Sequence, residues 1–255
     1  MRIKEVFYEI ESKNLPESFN FFRIAHLSDL HDEAPDEILD ILNRHSPDII
    51  CFTGDAVDGN KSHIDKMAEY LEKLSKIAPL YFVSGNHDKK SPEFLSLIEN
   101  DKNIRFLDGK SDVLERNGEK ITIRGLGDPY SKRPDVAKER ILKELEKTET
   151  SQGFSVLLYH RASHFDIIAD KGFSLVLSGH MHGGQIIIPR LGGLLPPKSS
   201  LFDTGRVFFP KFAGGLYENG NTKMVVSRGV GNQIIIPRIN NPAEIGIITL
   251  KKTDC

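Results

Sequence analysis

Asp48-Ile49-Ile50-Cys51-Phe52-Thr53-Gly54-Asp55-Ala56-Val57-Asp58 joins an unbroken apolar run to a glycine-led polar turn. A short run of this kind, bounded by turn residues, fits a strand buried on both faces, as in a parallel sheet covered by helices. The same reading applies to residues 22–27, 80–83, 121–125, 154–158 and 173–177. Between these runs the apolar spacing becomes helical. Across 62–77, Ile64, Met67, Ala68, Leu71 and Leu74 share one face behind Ser62 as N-cap. Helices are also predicted behind Pro35, behind Pro134, over 92–100 and over 163–170. Residues 1–7 alternate charge with apolar side chains and read as a strand. The C-terminal third breaks into short β-like pieces at 185–188, 224–227 and 245–250, separated by glycine and proline. This order predicts an α/β fold, a mixed β-sandwich flanked by helices.

Five polar signatures sit where these apolar runs end: Asp29-Leu30-His31, Gly54-Asp55-Ala56-Val57-Asp58, Gly85-Asn86-His87-Asp88, Tyr159-His160 and Gly179-His180-Met181-His182. In open α/β sheets, ligands gather beyond the carboxyl ends of the strands, so strands pointing one way would bring all five to one rim. The signatures span residues 29 to 182, and a site built from all of them cannot be cut between them. One domain over residues 1–255 is therefore expected.

Composition bounds the function. Apolar content of 39% and charged content of 27% suit a soluble globular chain long enough to bury a substantial core. The formal net charge of -2 is unevenly spread: residues 1–180 hold 25 basic and 32 acidic side chains (-7), and residues 181–255 hold 9 and 4 (+5). A phosphate-bearing ligand lying against the C-terminal segment would suit that asymmetry, and ordinary surface charge accounts for it equally well. The small net charge and the lack of a dense Lys/Arg cluster argue against a long nucleic acid as partner. Cys51 and Cys255 are the only cysteines and imply no disulfide framework. No stretch approaches the ~20 apolar residues of a membrane span, and residues 1–7 do not read as a signal peptide, so a cytoplasmic chain is expected.

The signatures mix carboxylate, amide and imidazole. Carboxylates suit hard dications and imidazole suits manganese, iron, zinc or nickel, so the mixture points to transition metals rather than calcium. Two such ions about 3.5–4 Å apart, sharing a carboxylate and a water, can direct one hydroxide in line at phosphorus.

In their order, Asp-x-His, Gly-Asp-x-x-Asp, Gly-Asn-His-Asp/Glu, His and Gly-His-x-His, the blocks resemble the calcineurin-like metallophosphoesterases. His26-Leu27-Ser28-Asp29-Leu30-His31, Gly179-His180-Met181-His182-Gly183-Gly184-Gln185 and Val225-Val226-Ser227-Arg228-Gly229-Val230-Gly231-Asn232 resemble the bacterial YkuE/YaeI-type branch. The resemblance covers nearly the whole chain. It implies a four-layer α/β/β/α fold and a metal-dependent phosphomonoesterase or phosphodiesterase with two divalent metal ions. One metal would take Asp29, His31, Asp55 and His182; the other would take Asp55, Asn86, His160 and His180. Asp55 would then bridge. His87 would stand at the leaving-group oxygen with Asp58 holding it.

Other residues are less decided. Arg228 is a candidate for phosphate contact, and a loop carbonyl would satisfy it as well. His26, just before the first ligand, reads as a core or supporting residue. Gly183-Gly184-Gln185-Ile186-Ile187-Ile188-Pro189-Arg190 recurs nearly letter for letter as Gly231-Asn232-Gln233-Ile234-Ile235-Ile236-Pro237-Arg238. The echo is either two similar strand-and-turn segments or a device placing Arg190 and Arg238 at the cleft edge. Where the family usually has glutamate, this chain has Asp88. A nuclease of the same superfamily and a non-catalytic metal-binding scaffold are the competing functions. Lipid-linked diphosphates, cell-wall phosphodiesters and small cyclic nucleotides all stay open as substrates. The first of these would entail peripheral contact with a membrane.

Overall fold

The computed structural model describes residues 2–59, 63–129, 131, 133–147, 153–197, 208–231 and 236–254. Its strands are β1 (Lys4–Ser12), β2 (Arg23–Leu27), β3 (Ile49–Phe52), β4 (Leu80–Phe82), β5 (Ile104–Phe106), β6 (Ser111–Arg116) and β7 (Glu119–Leu126). They continue with β8 (Ser155–Arg161), β9 (Leu175–Gly179), β10 (Ile187–Ile188), β11 (Gly192–Gly193), β12 (Gly215–Asn219), β13 (Thr222–Val226) and β14 (Glu244–Lys252). The α-helices are α1 (Asp36–His45), α2 (Ile64–Ser75), α3 (Pro92–Asn100), α4 (Pro134–Glu146) and α5 (Phe165–Ile168).

Two six-stranded sheets form, in the orders β1-β14-β2-β3-β4-β5 and β12-β13-β9-β8-β7-β6. Strands β2 to β5 run parallel, as do β7, β8, β9 and β13. Alternation along β3 builds the layers, because successive side chains leave a strand on opposite faces. Ile49 and Cys51 join the core between the sheets, with Tyr81, Ile123, Val156, Leu177 and Val225. Ile50 and Phe52 face the other way, onto Ile38, Leu42, Met67, Leu71, Phe94 and Ile98 of α1, α2 and α3. On the outer face of the second sheet, Leu157, Val176 and Val226 pack against Ile141 and Leu145 of α4 and Phe165 and Ile168 of α5. The result is the expected order of helices, sheet, sheet, helices.

Several expectations are refined. Helix α2 begins at Ile64, and its predicted cap Ser62 lies outside the described residues, as do Cys255 and residues 232–235 of the echo. The helix predicted over 163–170 is a chain of short turns, Ala162–His164, Phe165–Ile168 and Ala169–Lys171, ended by Gly172 at φ 81°. Strand β14, from the far end of the chain, inserts between β1 and β2, parallel to the former and antiparallel to the latter. Strands β6 and β12 have no counterpart in the sequence reading. They are edge strands with mostly exposed side chains, so they carry no apolar run to read.

Candidate active site

The pairing of β2 with β3 continues past both strands: Asp29 N–H donates to Gly54 O (2.9 Å), His31 N–H to Asp55 O (3.1 Å) and Asp32 N–H to Ala56 O (3.0 Å). These bonds zip the first two signature loops together. The backbone there is forced. Asp29, His31, Asp55, His180 and His182 have φ of 54°, 46°, 55°, 71° and 47°. The left-handed region costs a non-glycine residue about 1–2 kcal/mol, and five cases in one place are the kind of strain that a functional geometry retains. Gly85 answers a close approach, since a Cβ there would stand 2.2 Å from Asp55 Oδ1. A register shift between β8 and β9, from Leu158 to Arg161, re-aims His160, which lies inside β8 rather than after it.

Among the described residues the side chains converge in three groups whose potential ligand atoms lie within 4.8 Å of one another: Asp29, His31 and His182; Asp55, His160 and His180; and, sharing His31 and more exposed, His31, Asp58 and His87. The first two are the groups that hold the predicted ligands. In the first, His31 Nε2 and His182 Nε2 are 3.1 Å apart, and Asp29 Oδ1 lies 3.3 Å from His182 Nε2 and 3.8 Å from His31 Nε2. In the second, Asp55 Oδ2 lies 3.1 Å from His160 Nε2, and His180 Nδ1 lies 3.1 Å from that same nitrogen. Asp55 Oδ2 is also 4.0 Å from His31 Nε2, so one carboxylate reaches both groups. Asn86 Oδ1 is buried and, among the described residues, accepts no hydrogen bond. A buried amide oxygen left without a donor is costly, and a cation would relieve it, so this donor set fits a metal. Supporting contacts aim the ligands: His160 Nδ1 bonds Thr53 O at 2.6 Å, and Ser28 Oγ donates to Asp29 Oδ2 at 2.5 Å.

Burial decides most protonation states. It pushes the His31 and His182 rings down to about 3, and His180 well below the usual imidazole range, leaving the neutral rings that bind metals. His160 differs. Burial opposes its charge, yet the Asp55 carboxylate in contact with it prevails and raises it to about 10 in the metal-free chain. Burial likewise opposes the Asp55 charge, and His160 overrides it to hold the carboxyl well below its ordinary value.

Asp58 and His87 stand beside the ligands, with His87 Nδ1 2.8 Å from Asp58 Oδ1 and that oxygen 3.8 Å from His31 Nδ1. Asp29, His31, Asp55, Asn86, His160, His180 and His182 are all buried, whereas the Asp58 side chain is 38% exposed and that of His87 18%. The site therefore opens to solvent on the Asp58–His87 side. Arg228 lies against a buried carboxylate: its Nε is 3.4 Å from Oε2 of Glu244, and its N–H donates to Glu244 Oε1. His26 is a core residue bonded to Thr53 Oγ1. Arg190 is exposed, while Arg238 brings Nη2 to 3.4 Å from His182 Nδ1, which separates the two arginines of the echo.

Two residues do more than the sequence conveys. Asp88 is fully buried; its Oδ2 accepts the N–H of Asp55 (2.7 Å) and Gly85 (2.8 Å), and its Oδ1 those of Ala56 (2.9 Å) and Val57 (3.2 Å). It thus clamps the second signature loop to the third. Asn241 donates through Nδ2 to His182 O (2.7 Å) and Gln185 O (3.2 Å), bracing the fifth. The Asn-Pro step at 241–242 was the only signal, and it reads as an ordinary turn.

Comparison with known proteins agrees with this geometry. The model of the calcineurin-like phosphoesterase family matches residues 22–184. The metallophosphoesterase YkuE of Bacillus subtilis (strain 168) is 30% identical over 97% of this chain and 85% of its own length. The phosphodiesterase YaeI of Escherichia coli (strain K12) is 24% identical over 90% of this chain and 82% of its own. Among solved structures, TT1561 of Thermus thermophilus superposes with a TM-score of 0.53 at 14% identity, covering 81% of this chain and 89% of that one. At that identity the likeness establishes the shared fold alone.

Proposed function

The chain belongs to the calcineurin-like phosphoesterase family and is a phosphoester hydrolase, and from that membership we propose that it cleaves phosphomonoesters or phosphodiesters at a pair of divalent transition-metal ions. Asp29, His31, Asp55 and His182 would hold one ion, and Asp55, Asn86, His160 and His180 would hold the other. The observation that carries this reading is the convergence of Asp29-His31-His182 and Asp55-His160-His180 on a single carboxylate, with the idle Asn86 oxygen beside them. Manganese, iron, zinc and nickel all suit such ligands.

When bound, the ions supply Lewis-acid polarisation of the phosphoryl group and a water acidic enough to attack at neutral pH. The protein's own residues do the rest. His87, at the solvent-open side, gives a proton to the leaving oxygen, and Asp58 at 2.8 Å holds its ring in place. Buried neutral imidazoles and one bridging carboxylate leave the loaded site cationic, which favours an anionic substrate. Because Asp55 from the first sheet meets His160 from the second, the reading also makes residues 1–255 one functional unit.

Metal analysis of protein purified without added metal, followed by a panel of phosphomonoesters and phosphodiesters with that metal restored, tests the reading. Two equivalents per chain and turnover on the panel are expected. Failure to turn over any ester with each of the four metals sinks it in favour of a metal-binding scaffold.

A further inference from the structure

Two arginines of the C-terminal third stand near the candidate metal ligands, and their hydrogen-bonding states differ. Arg228 lies against the buried Glu244. Arg238 Nη2 donates to Gly231 O at 2.7 Å and lies 3.4 Å from His182 Nδ1, while its Nε and Nη1 are closed off from solvent and, among the described residues, donate to nothing. His182 turns its other nitrogen, Nε2, toward Asp29 and His31. A ring that binds metal through Nε2 carries its proton on Nδ1, so it offers Arg238 no acceptor. Two guanidinium nitrogens kept from water without an acceptor are costly, and an anion that meets them would relieve that cost. Of the charged groups that face it, Asp29 acts most strongly, followed by Glu244 and Glu33, with Arg228 opposing. Asp29 accepts from Ser28 and the His180 N–H, and Glu244 accepts the Arg228 N–H through Oε1 while its Oε2, 3.4 Å from Arg228 Nε, accepts no hydrogen bond; among the described residues none of the three carboxylates pairs with Arg238. The missing partner is therefore a ligand's anion rather than one of these carboxylates.

We propose that Arg238 binds a non-bridging oxygen of the phosphoryl group seated at the Asp29-His31-His182 side of the site. The inference rests on the phosphoester-hydrolase reading and adds to it a residue that touches substrate. The guanidinium neutralises and orients the anion, while the leaving oxygen is served by His87.

The test is binding of inorganic phosphate to the metal-loaded protein by calorimetry, with metal content and thermal stability measured in parallel. Arg238→Ala should weaken phosphate binding about 10–100-fold, the usual worth of a charge-assisted bond to an oxyanion, and raise KM for phosphoesters. Two metals per chain should remain, with a melting temperature lowered by no more than the lost bond to Gly231 O accounts for, and added guanidinium should restore part of the binding. Unchanged phosphate binding and KM overturn the proposal; so does loss of metal, which would make Arg238 a brace for the Gly231 loop. Should Arg238→Ala fail to fold, Arg238→Lys keeps a donor for Gly231 O and decides the matter: several-fold weaker phosphate binding supports the proposal, and unaltered binding refutes it. Loaded wild-type protein that binds phosphate yet hydrolyses nothing overturns the hydrolase reading while Arg238 is still tested. Loaded wild-type protein that binds no phosphate overturns the present inference.

Discussion

Replacing Asp88 with asparagine changes one atom type in a group that accepts four main-chain N–H bonds. Two influences compete over its charge. Burial and the nearby Asp55 carboxylate push the Asp88 carboxyl up to about 8, and the N–H groups of Gly85 and Val57 pull it back down. Four donors on two oxygens favour the ionised form, and cations held by Asp55 would remove the main repulsion. If the group is ionised, Asp88→Asn keeps one accepting oxygen and turns an NH2 toward the other pair of donors. Two buried N–H groups then lose their acceptor at about 1–3 kcal/mol each, a loss of roughly 2–6 kcal/mol. Because the clamp spans Asp55 and Gly85, which precedes Asn86, metal affinity should fall about 10–100-fold as well. Urea unfolding of protein saturated with metal and calorimetric metal titration measure the two effects. Were the carboxyl protonated at neutral pH, asparagine would be nearly isosteric and silent. Stability within about 0.5 kcal/mol of wild type together with unaltered metal affinity would refute the reasoning.

Asp55→Asn removes the charge shared by both groups of ligands, so metal and activity should disappear together; full activity in the metal-free variant would rule out the mechanism. His87→Asn should leave two metals in place and lower kcat about 10²–10⁴-fold, most for esters with poor leaving groups. An equal loss for good and poor leaving groups would remove its role as proton donor. His160, raised to about 10 in the metal-free chain, must shed its proton to become a ligand. Loading at pH 7 should therefore release a proton, and apparent affinity should climb with pH up to about 10 and then level off. Titrations in buffers of different ionisation enthalpy read that proton directly, and heats that do not vary with buffer would contradict it.

The parallel strands were legible because a strand buried on both faces, such as β3, must be apolar at every position. Edge strands β6 and β12 face solvent along much of their length, and their sequences carry no such constraint. The seven ligand candidates were legible for a related reason: few roles other than metal binding call for aspartate, asparagine and histidine at successive strand ends. What their neighbours do depends on direction in space. Asp88 collects donors 31 to 33 residues away as well as one three residues away, and no spacing rule announces that. The two halves of the echo carry nearly the same letters, yet Arg190 lies exposed at φ 70° while Arg238 reaches His182. The charge surplus of the C-terminal third is a still weaker guide. Lys211 pairs with Asp166, Lys223 donates to Glu11 O, Arg228 faces Glu244, Lys251 pairs with Glu9 and Lys252 donates to Lys13 O. Five of the nine basic side chains of this segment are thus held by the protein itself, and summed charge would have pointed to a broad basic face. What matters for an anionic substrate is which donors still lack an acceptor beside the metal ligands, and among the described residues of this segment Arg238 is the cation that meets that condition, next to the neutral and equally idle amide of Gln185.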